Sequence, residues 1–317
     1  MRCFQATARS SSLGFGARSV FNPPGTVAPP HPMPHCNPLI FPTLGMAGLL
    51  FAFGRWIARQ PYGTGWLAAW TAVAFAAATP ALLFAAYYTH LFDHAGWFYA
   101  FRAMPLTELT AAGIGLGAGL AAELIRRSTD RSRWAAVSRY SPSITAVGMA
   151  LILAVPYVKP IIAPLRTPPH DRWQEGVCLQ STPATCGPAC AATLLRQFGR
   201  NGSERELARE CFSYAGGTEN WYIARAIRKR GLQAEYLLSA PQPNRIPFPT
   251  IAGVGLSTGG RVGHFIAILE LQEGRYVVAD PLIGKLLLTP NDLRSRYFFP
   301  GFFLVVRAPS PVESRSL

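Results

Sequence analysis

Val177-Cys-Leu-Gln-Ser-Thr-Pro-Ala-Thr-Cys-Gly-Pro-Ala-Cys-Ala-Ala-Thr-Leu-Leu-Arg-Gln-Phe-Gly199 is the stretch on which the fold of this chain turns. Thr185 suits a helix N-cap, Pro188 a first helical turn and Gly199 a stop, so a helix of about three turns begins at Cys186. A cysteine there meets unpaired amides and the positive end of the helix dipole. Both favour the thiolate, the reactive form of the sulfur. Taken alone, Cys186 fits equally well a buried structural thiol, the commonest fate of a free cysteine. Cys190, one turn further along the same face, has no such setting and reads as core.

A downstream histidine separates the two readings. Val262–Leu271 and Arg275–Asp280 alternate as two strands around Gln272-Glu273-Gly274. A three-residue hairpin loop with glycine in the left-handed position pairs Leu271 with Arg275 and, by counting back, Ile266 with Asp280. His264 then shares a face with Asp280 as its diagonal neighbour, about 7–8 Å away at Cα, within reach of an imidazole–carboxylate hydrogen bond. A two-residue loop would place them on opposite faces, so the pairing depends on register. In that register Asp280 fixes the tautomer of His264, and His264 acts as base to Cys186.

Upstream the composition is different. Of 317 residues, 50% are hydrophobic and 15% charged, against about 25% charged in ordinary soluble proteins. The apolar excess falls in four stretches within 39–165: residues 39–56, 65–89, 109–125 and 144–165. Each has about the length a helix needs to cross a bilayer. Lys159 lies near one end of the fourth, where it can snorkel; Trp56, Trp66 and the Tyr87–Tyr88 pair sit at span ends, as interfacial aromatics do. Gly113, Gly115, Gly117 and Gly119 form two overlapping GxxxG patterns, a signature of close helix–helix approach. Arg59, Arg126, Arg127, Arg131, Arg133 and Arg139 follow spans one and three, whereas Arg102 alone follows span two. The positive-inside rule therefore places everything after span four outside the cytoplasm of a bacterial cell membrane.

The net charge of +14 belongs to these short loops and to dispersed arginines. No zinc finger, aromatic RNA-binding signature or basic helix accompanies it, so nucleic acid is not an expected partner. Six cysteines without a CxxC pair argue against a disulfide scaffold and a structural zinc. In an oxidising compartment Cys178, Cys190 and Cys211 could form one disulfide of undecided pairing. His90, Asp93 and His94 after span two offer metal-ligand chemistry, but interfacial histidines are the commoner case; no metal or other cofactor is expected. Residues 1–38, with His31 and His35 beside prolines, and residues 309–317 read as unstructured, and Met33 is an alternative start.

The residues already named carry a resemblance. Gln180 six positions before Cys186-Gly187, a helix, His264 opening a strand and Asp280-Pro281 ending the next resemble the double-glycine leader peptidases. These are bacteriocin-processing cysteine peptidases of the papain-like superfamily. The Gly217-Thr218 helix start, the Gly231-Leu232 exit and the Asp280–Gly284 turn fit too, so the resemblance covers residues 176–307. It implies an α+β domain over 166–308, a helical lobe followed by an antiparallel sheet; the four apolar stretches place an all-α bundle of four transmembrane helices before it. It also implies peptide-bond hydrolysis by Cys186, His264 and Asp280, with Gln180 in the oxyanion hole. Thr185 stands where transporter-linked members often have aspartate. There is no Walker A motif, because Gly284-Lys285 lacks the upstream glycine and the Ser/Thr. The expected partners are thus a peptide or protein substrate, the lipid bilayer and a separate transporter, without an ATP site in this chain. Two alternatives remain: a catalytically silent peptide-binding accessory protein, which would not need the complete triad, and a transamidase or amidase on the same fold.

Overall fold

The computed structural model describes residues 36–61, 63–92, 95–129, 135–256 and 263–309. Most of the expected unstructured ends, together with Met33, His31, His35, Cys3, Asp93, His94, Arg131 and Arg133, lie outside these residues. Residues 36–38, assigned by sequence to the unstructured start, are placed: Asn37 is buried and its Nδ2 donates to the Tyr222 hydroxyl at 3.2 Å.

The first half is helical: α1 (Ile40–Arg59), α2 (Thr64–Ala86), α3 (Gly96–Arg102), α4 (Thr107–Thr110), α5 (Ile114–Thr129) and α6 (Ala135–Ile162). A 3₁₀ turn over Tyr87–Thr89 extends α2, and another over Ala111–Gly113 joins α4 to α5. Among the described residues four stretches are long and apolar enough to cross a membrane: Ile40–Arg59, Thr64–Thr89, Thr107–Ser128 and Arg139–Ile162. The last begins earlier than the hydropathy suggested, because α6 continues through Pro142. Half of the third stretch is buried, against 28%, 22% and 22% of the others, which makes α5 the central helix. Its glycines explain how. A Cβ on Gly113 would lie 2.0 Å from Ala77 O, one on Gly115 2.1 Å from Ala47 O, and one on Gly119 2.1 Å from Phe51 O. Only glycine lets the α1 and α2 backbones come this close. Gly117 meets only ordinary contacts. Outer faces stay apolar, with Leu49, Phe75 and Leu151 exposed.

Lys159 is not the only charge in the stretches read from hydropathy, since 39–56 holds Arg55 and 109–125 holds Glu123. Glu123 is fully buried and bonded to Arg126 at 2.6 Å, Arg59 at 3.1 Å and Arg55 at 3.5 Å. The cluster gathers at the bundle end where α1 and α5 finish.

The second half builds a six-stranded antiparallel sheet in the order β3-β8-β4-β5-β6-β7 and a two-stranded ribbon, β1 with β2. Its elements are β1 (Arg172–Gln174), β2 (Val177–Leu179), α7 (Cys186–Gln197), α8 (Glu204–Glu210), α9 (Asn220–Lys229) and β3 (Gln233–Leu238). They continue with β4 (Thr250–Gly255), β5 (His264–Gln272), β6 (Arg275–Asp280), β7 (Gly284–Leu288), α10 (Pro290–Arg296) and β8 (Phe298–Arg307). Strand alternation divides the core. Phe265, Ala267 and Ala279 face α7 and α9 with Leu194, Ile223 and Ile227, whereas Ile266, Ile268 and Val278 pack with Leu293 of α10, Tyr297 and Phe303. This is the expected helical lobe followed by an antiparallel sheet.

The sheet half sits on the bundle end opposite Glu123. Arg225 of α9 donates to Glu108 Oε1 at 2.8 Å and to Arg102 O at 2.6 Å, and Arg228 donates to Ala103 O at 3.0 Å. Lys159, near the end of α6, bonds Glu219 at 2.6 Å and lies 4.2 Å over the Tyr88 ring. It therefore serves the junction rather than snorkelling, since a buried carboxylate is the better partner. Tyr87 is likewise not an interfacial aromatic: it is buried, stacked on Phe98 and set edge-on to Trp221.

Candidate active site

The β5–β6 hairpin positions His264 and Asp280, by a route that differs from the sequence expectation in one respect. The loop has two residues, Glu273 (φ 48°) and Gly274 (φ 75°), between the paired Gln272 and Arg275. Two positive φ values define the type I′ turn that matches the strand twist. Such a loop alone would have turned His264 and Asp280 to opposite faces. A β-bulge compensates: Ile268 pairs with Val278 but Glu270 with Val277, leaving Leu269 without a counterpart on β6. The extra residue restores Ala267 opposite Ala279, and continuing by one position aligns Ile266 with Asp280. The expected alignment forms with a shorter loop and an unforeseen bulge.

His264 Nε2 lies 2.9 Å from Asp280 Oδ1, with both residues buried. The same oxygen accepts the Leu282 amide at 2.9 Å, and Oδ2 accepts the Tyr297 hydroxyl at 2.5 Å. Burial alone would raise the Asp280 pKa, but these bonds outweigh it and hold the carboxyl below its ordinary value. The Tyr297 hydroxyl is pushed well above its usual range, first by burial and then by the carboxylate it serves. An ionised Asp280 requires Nε2 to carry hydrogen, which leaves Nδ1 with the lone pair. Tyr297 was invisible in the sequence. It lies in an aromatic run, Tyr297-Phe-Phe299, whose strand periodicity explains it equally well as core.

Cys186 is 1% exposed and opens α7 as expected. Thr185 holds the N-cap position, but its hydroxyl does not cap the helix. It donates to Thr182 O at 3.0 Å and accepts the Thr182 amide at 3.1 Å, closing the preceding turn instead. Gly199 ends the helix with φ +64°. Two contacts bring the start of α7 to the start of β5. The Cys190 thiol donates to Phe265 O at 3.3 Å, and a Cβ on Gly187 would come within 3.6 Å of the Phe265 ring and 2.4 Å of Ile223 Cδ1. Glycine after Cys186 thus permits α9 and β5 to close around the helix start.

Gln180 is tied to the same place. Its amide donates to Pro281 O at 2.8 Å, its Nε2 to Thr182 O at 2.9 Å, and its Oε1 is buried without a partner among the described residues. The adjacent Ser181 is held by the fully buried Glu204, which accepts from the Ser181 amide at 2.6 Å and from its hydroxyl at 2.5 Å. Glu204 is a second contributor that the sequence did not reveal; an acidic residue opening a helix usually serves the dipole.

The remaining cysteines have a different chemistry. Burial pushes Cys178 up to about 12, and it also raises Cys190 and Cys211 well above a free thiol. Cys178, Cys190 and Cys211 form no disulfide with one another, so the bridge left open by the sequence is absent among the described residues. His90 ends the 3₁₀ turn in the left-handed region, and no group of metal-ligating side chains is found among the described residues.

Residues 174–310 match the model of the Peptidase C39 family. An uncharacterized protein of Methanothermobacter thermautotrophicus is 31% identical over 138 residues, 43% of this chain and 90% of that protein. One of Methanothermobacter marburgensis is 28% identical over 136 residues, covering 42% and 89% respectively. Among solved structures, the double glycine motif protease from an AMS/PCAT transporter, in complex with its leader peptide, is 18% identical with a TM-score of 0.36, covering 42% of this chain and 91% of that one. The peptidase domain of Streptococcus ComA is 20% identical with a TM-score of 0.35, covering 42% and 98%.

Proposed function

The chain belongs to the Peptidase C39 family, and from that premise we propose that it is a membrane-anchored cysteine peptidase. Its nucleophile is Cys186, its base His264, its orienting carboxylate Asp280, and its substrate a leader or precursor peptide. The observation that carries this reading is the buried His264–Asp280–Tyr297 chain of hydrogen bonds beside a helix that starts at Cys186. Nδ1 takes the thiol proton, and the sulfur, facing the positive end of α7, attacks the scissile carbonyl carbon. The Cys186 amide and the second hydrogen on Gln180 Nε2 receive the oxyanion. His264 returns the proton to the leaving amine as the C–N bond breaks to give a thioester. Water, deprotonated by His264, then attacks the thioester and releases the acid and the thiol.

The four apolar helices serve as the anchor. The arginines around Glu123 mark the cytoplasmic end by the positive-inside rule, so the peptidase half lies on the other side. Comparing new protein N-termini in cells making wild type or Cys186→Ala tests the activity. Termini present only with wild type, cut after small residues such as Gly-Gly or Gly-Ala, are expected. Identical profiles at equal expression would overturn hydrolysis and return the weight to transamidation or silent peptide binding.

A further inference from the structure

The junction between the bundle and the peptidase half holds a buried cation that the proposed chemistry does not use. Arg102, the last residue of α3, is 4% exposed. Its guanidinium lies 3.9 Å over the Phe84 ring and 4.6 Å over the Trp221 ring. Among the described residues it makes no side-chain hydrogen bond or ion pair, and Nη1 is fully buried without a partner. Ring faces compensate a desolvated guanidinium only in part. The neighbouring cations are already matched: Lys159 is paired with Glu219 and Arg225 with Glu108. Arg102, by contrast, has no bonded carboxylate among the described residues; it acts on Glu219 only through space, because Lys159 holds that carboxylate.

It lines a cavity of about 190 Å³, mostly apolar, that reaches from Tyr222 of α9 to the cleft between α2 and α6. Ala85 of α2 and Ile152 and Val155 of α6 form the outer part of this lining, and all three are exposed. They lie on stretches able to cross a membrane, so the cleft opens sideways, toward the hydrocarbon in the membrane-anchored reading. Arg102 itself follows span two, at the level where α2 ends, where lipid head groups would be.

An apolar cleft opening to the bilayer, with one unpaired guanidinium at head-group depth, has the chemistry of an amphiphile site. We propose that this cavity binds a membrane lipid with an anionic phosphate head, Arg102 holding the phosphate while an acyl chain lies along Ile152 and Val155. Guanidinium donors match phosphate oxygens in pairs, and a site already stripped of water strengthens that bond. The inference rests on the membrane-anchored reading and does not depend on catalysis. Because Trp221 and Tyr222 belong to α9, the lipid would join the bundle to the helix that packs on Gly187.

The test uses the full chain in neutral detergent, offered dioleoylphosphatidylglycerol or dioleoylphosphatidylcholine, with retained lipid counted by native mass spectrometry. Wild type should hold one phosphatidylglycerol per chain at least about tenfold more tightly than phosphatidylcholine, as expected for a charge-assisted bond. Arg102→Met should abolish the preference. That variant also loses two ring contacts, so a second, Ala85→Trp with Ile152→Trp, blocks the mouth from exposed positions and leaves Arg102 in place. It should lose the lipid with an unchanged melting temperature. Equal retention of the two lipids by wild type, or phosphatidylglycerol retained by both variants, would overturn the proposal. Displacement of the lipid by millimolar inorganic phosphate would overturn it in favour of a free-anion site. Cys186→Ala should keep the lipid while losing cleavage, so the two readings can fail separately.

Discussion

Replacing Tyr297 with phenylalanine removes one oxygen and leaves the ring in its packing, which isolates the hydrogen bond to Asp280. That bond is 2.5 Å long, and the two residues are 1% and 0% exposed, so solvent does not screen it. A hydrogen bond to a buried charge contributes about 1.5–3 kcal/mol, or roughly a ten- to hundredfold change in an equilibrium constant. Asp280 would keep two donors, His264 Nε2 and the Leu282 amide. Tyr297→Phe should therefore lose about 1.5–3 kcal/mol of stability at neutral pH. In an Asp280→Asn background the same change should cost much less, because the charge is gone. Urea unfolding of the four proteins closes a double-mutant cycle and reads the coupling directly.

The pH dependence follows from the direction of the Asp280 shift. Its folded pKa is depressed, so the stability it contributes is complete above the unfolded value, about 3.9. That stability is lost as pH falls through the folded value. Tyr297→Phe relieves part of the depression, so acid unfolding should begin at higher pH than in wild type. Additive effects in the cycle, with acid unfolding unmoved, would refute the assignment of Tyr297 as a positioning residue and leave it as core.

Gly119→Val should break the bundle, because its Cβ would lie 2.1 Å from Phe51 O. A clash with backbone cannot relax by a rotamer change, so a loss at the upper end of the usual overpacking range, about 1–3 kcal/mol, should appear in thermal unfolding in detergent. Lys159→Met leaves Glu219 buried without its partner and should cost about 3–5 kcal/mol; adding Glu219→Gln should recover most of it, and no recovery would show that the pair is incidental. Glu273→Cys, in the exposed β5–β6 turn, should react with an impermeant maleimide added to intact cells. Labelling only after lysis would place the peptidase half in the cytoplasm.

The residues of the proposed site were singled out in the sequence because each carries a local signal. Cys186 stands between a threonine of the kind that opens helices and a proline, His264 opens an alternating run, and Asp280-Pro281 ends one. The four apolar stretches and the glycines of α5 were equally plain, since span length and close helix approach are written in composition and spacing. The tertiary structure decided what depends on partners far along the chain. Strand register was fixed by a two-residue turn together with the Leu269 bulge, and a bulge has no composition of its own. Tyr297 and Glu204 joined the proposed site only when the junction of α10 with β8, and α8, brought them to Asp280 and Ser181. Tyr87 and Lys159, which pattern alone assigned to the membrane interface, became junction residues because α9 presents Trp221 and Glu219 to them. Periodicity reports which face of an element is apolar; only packing reports what that face, and any charge near it, finally meets.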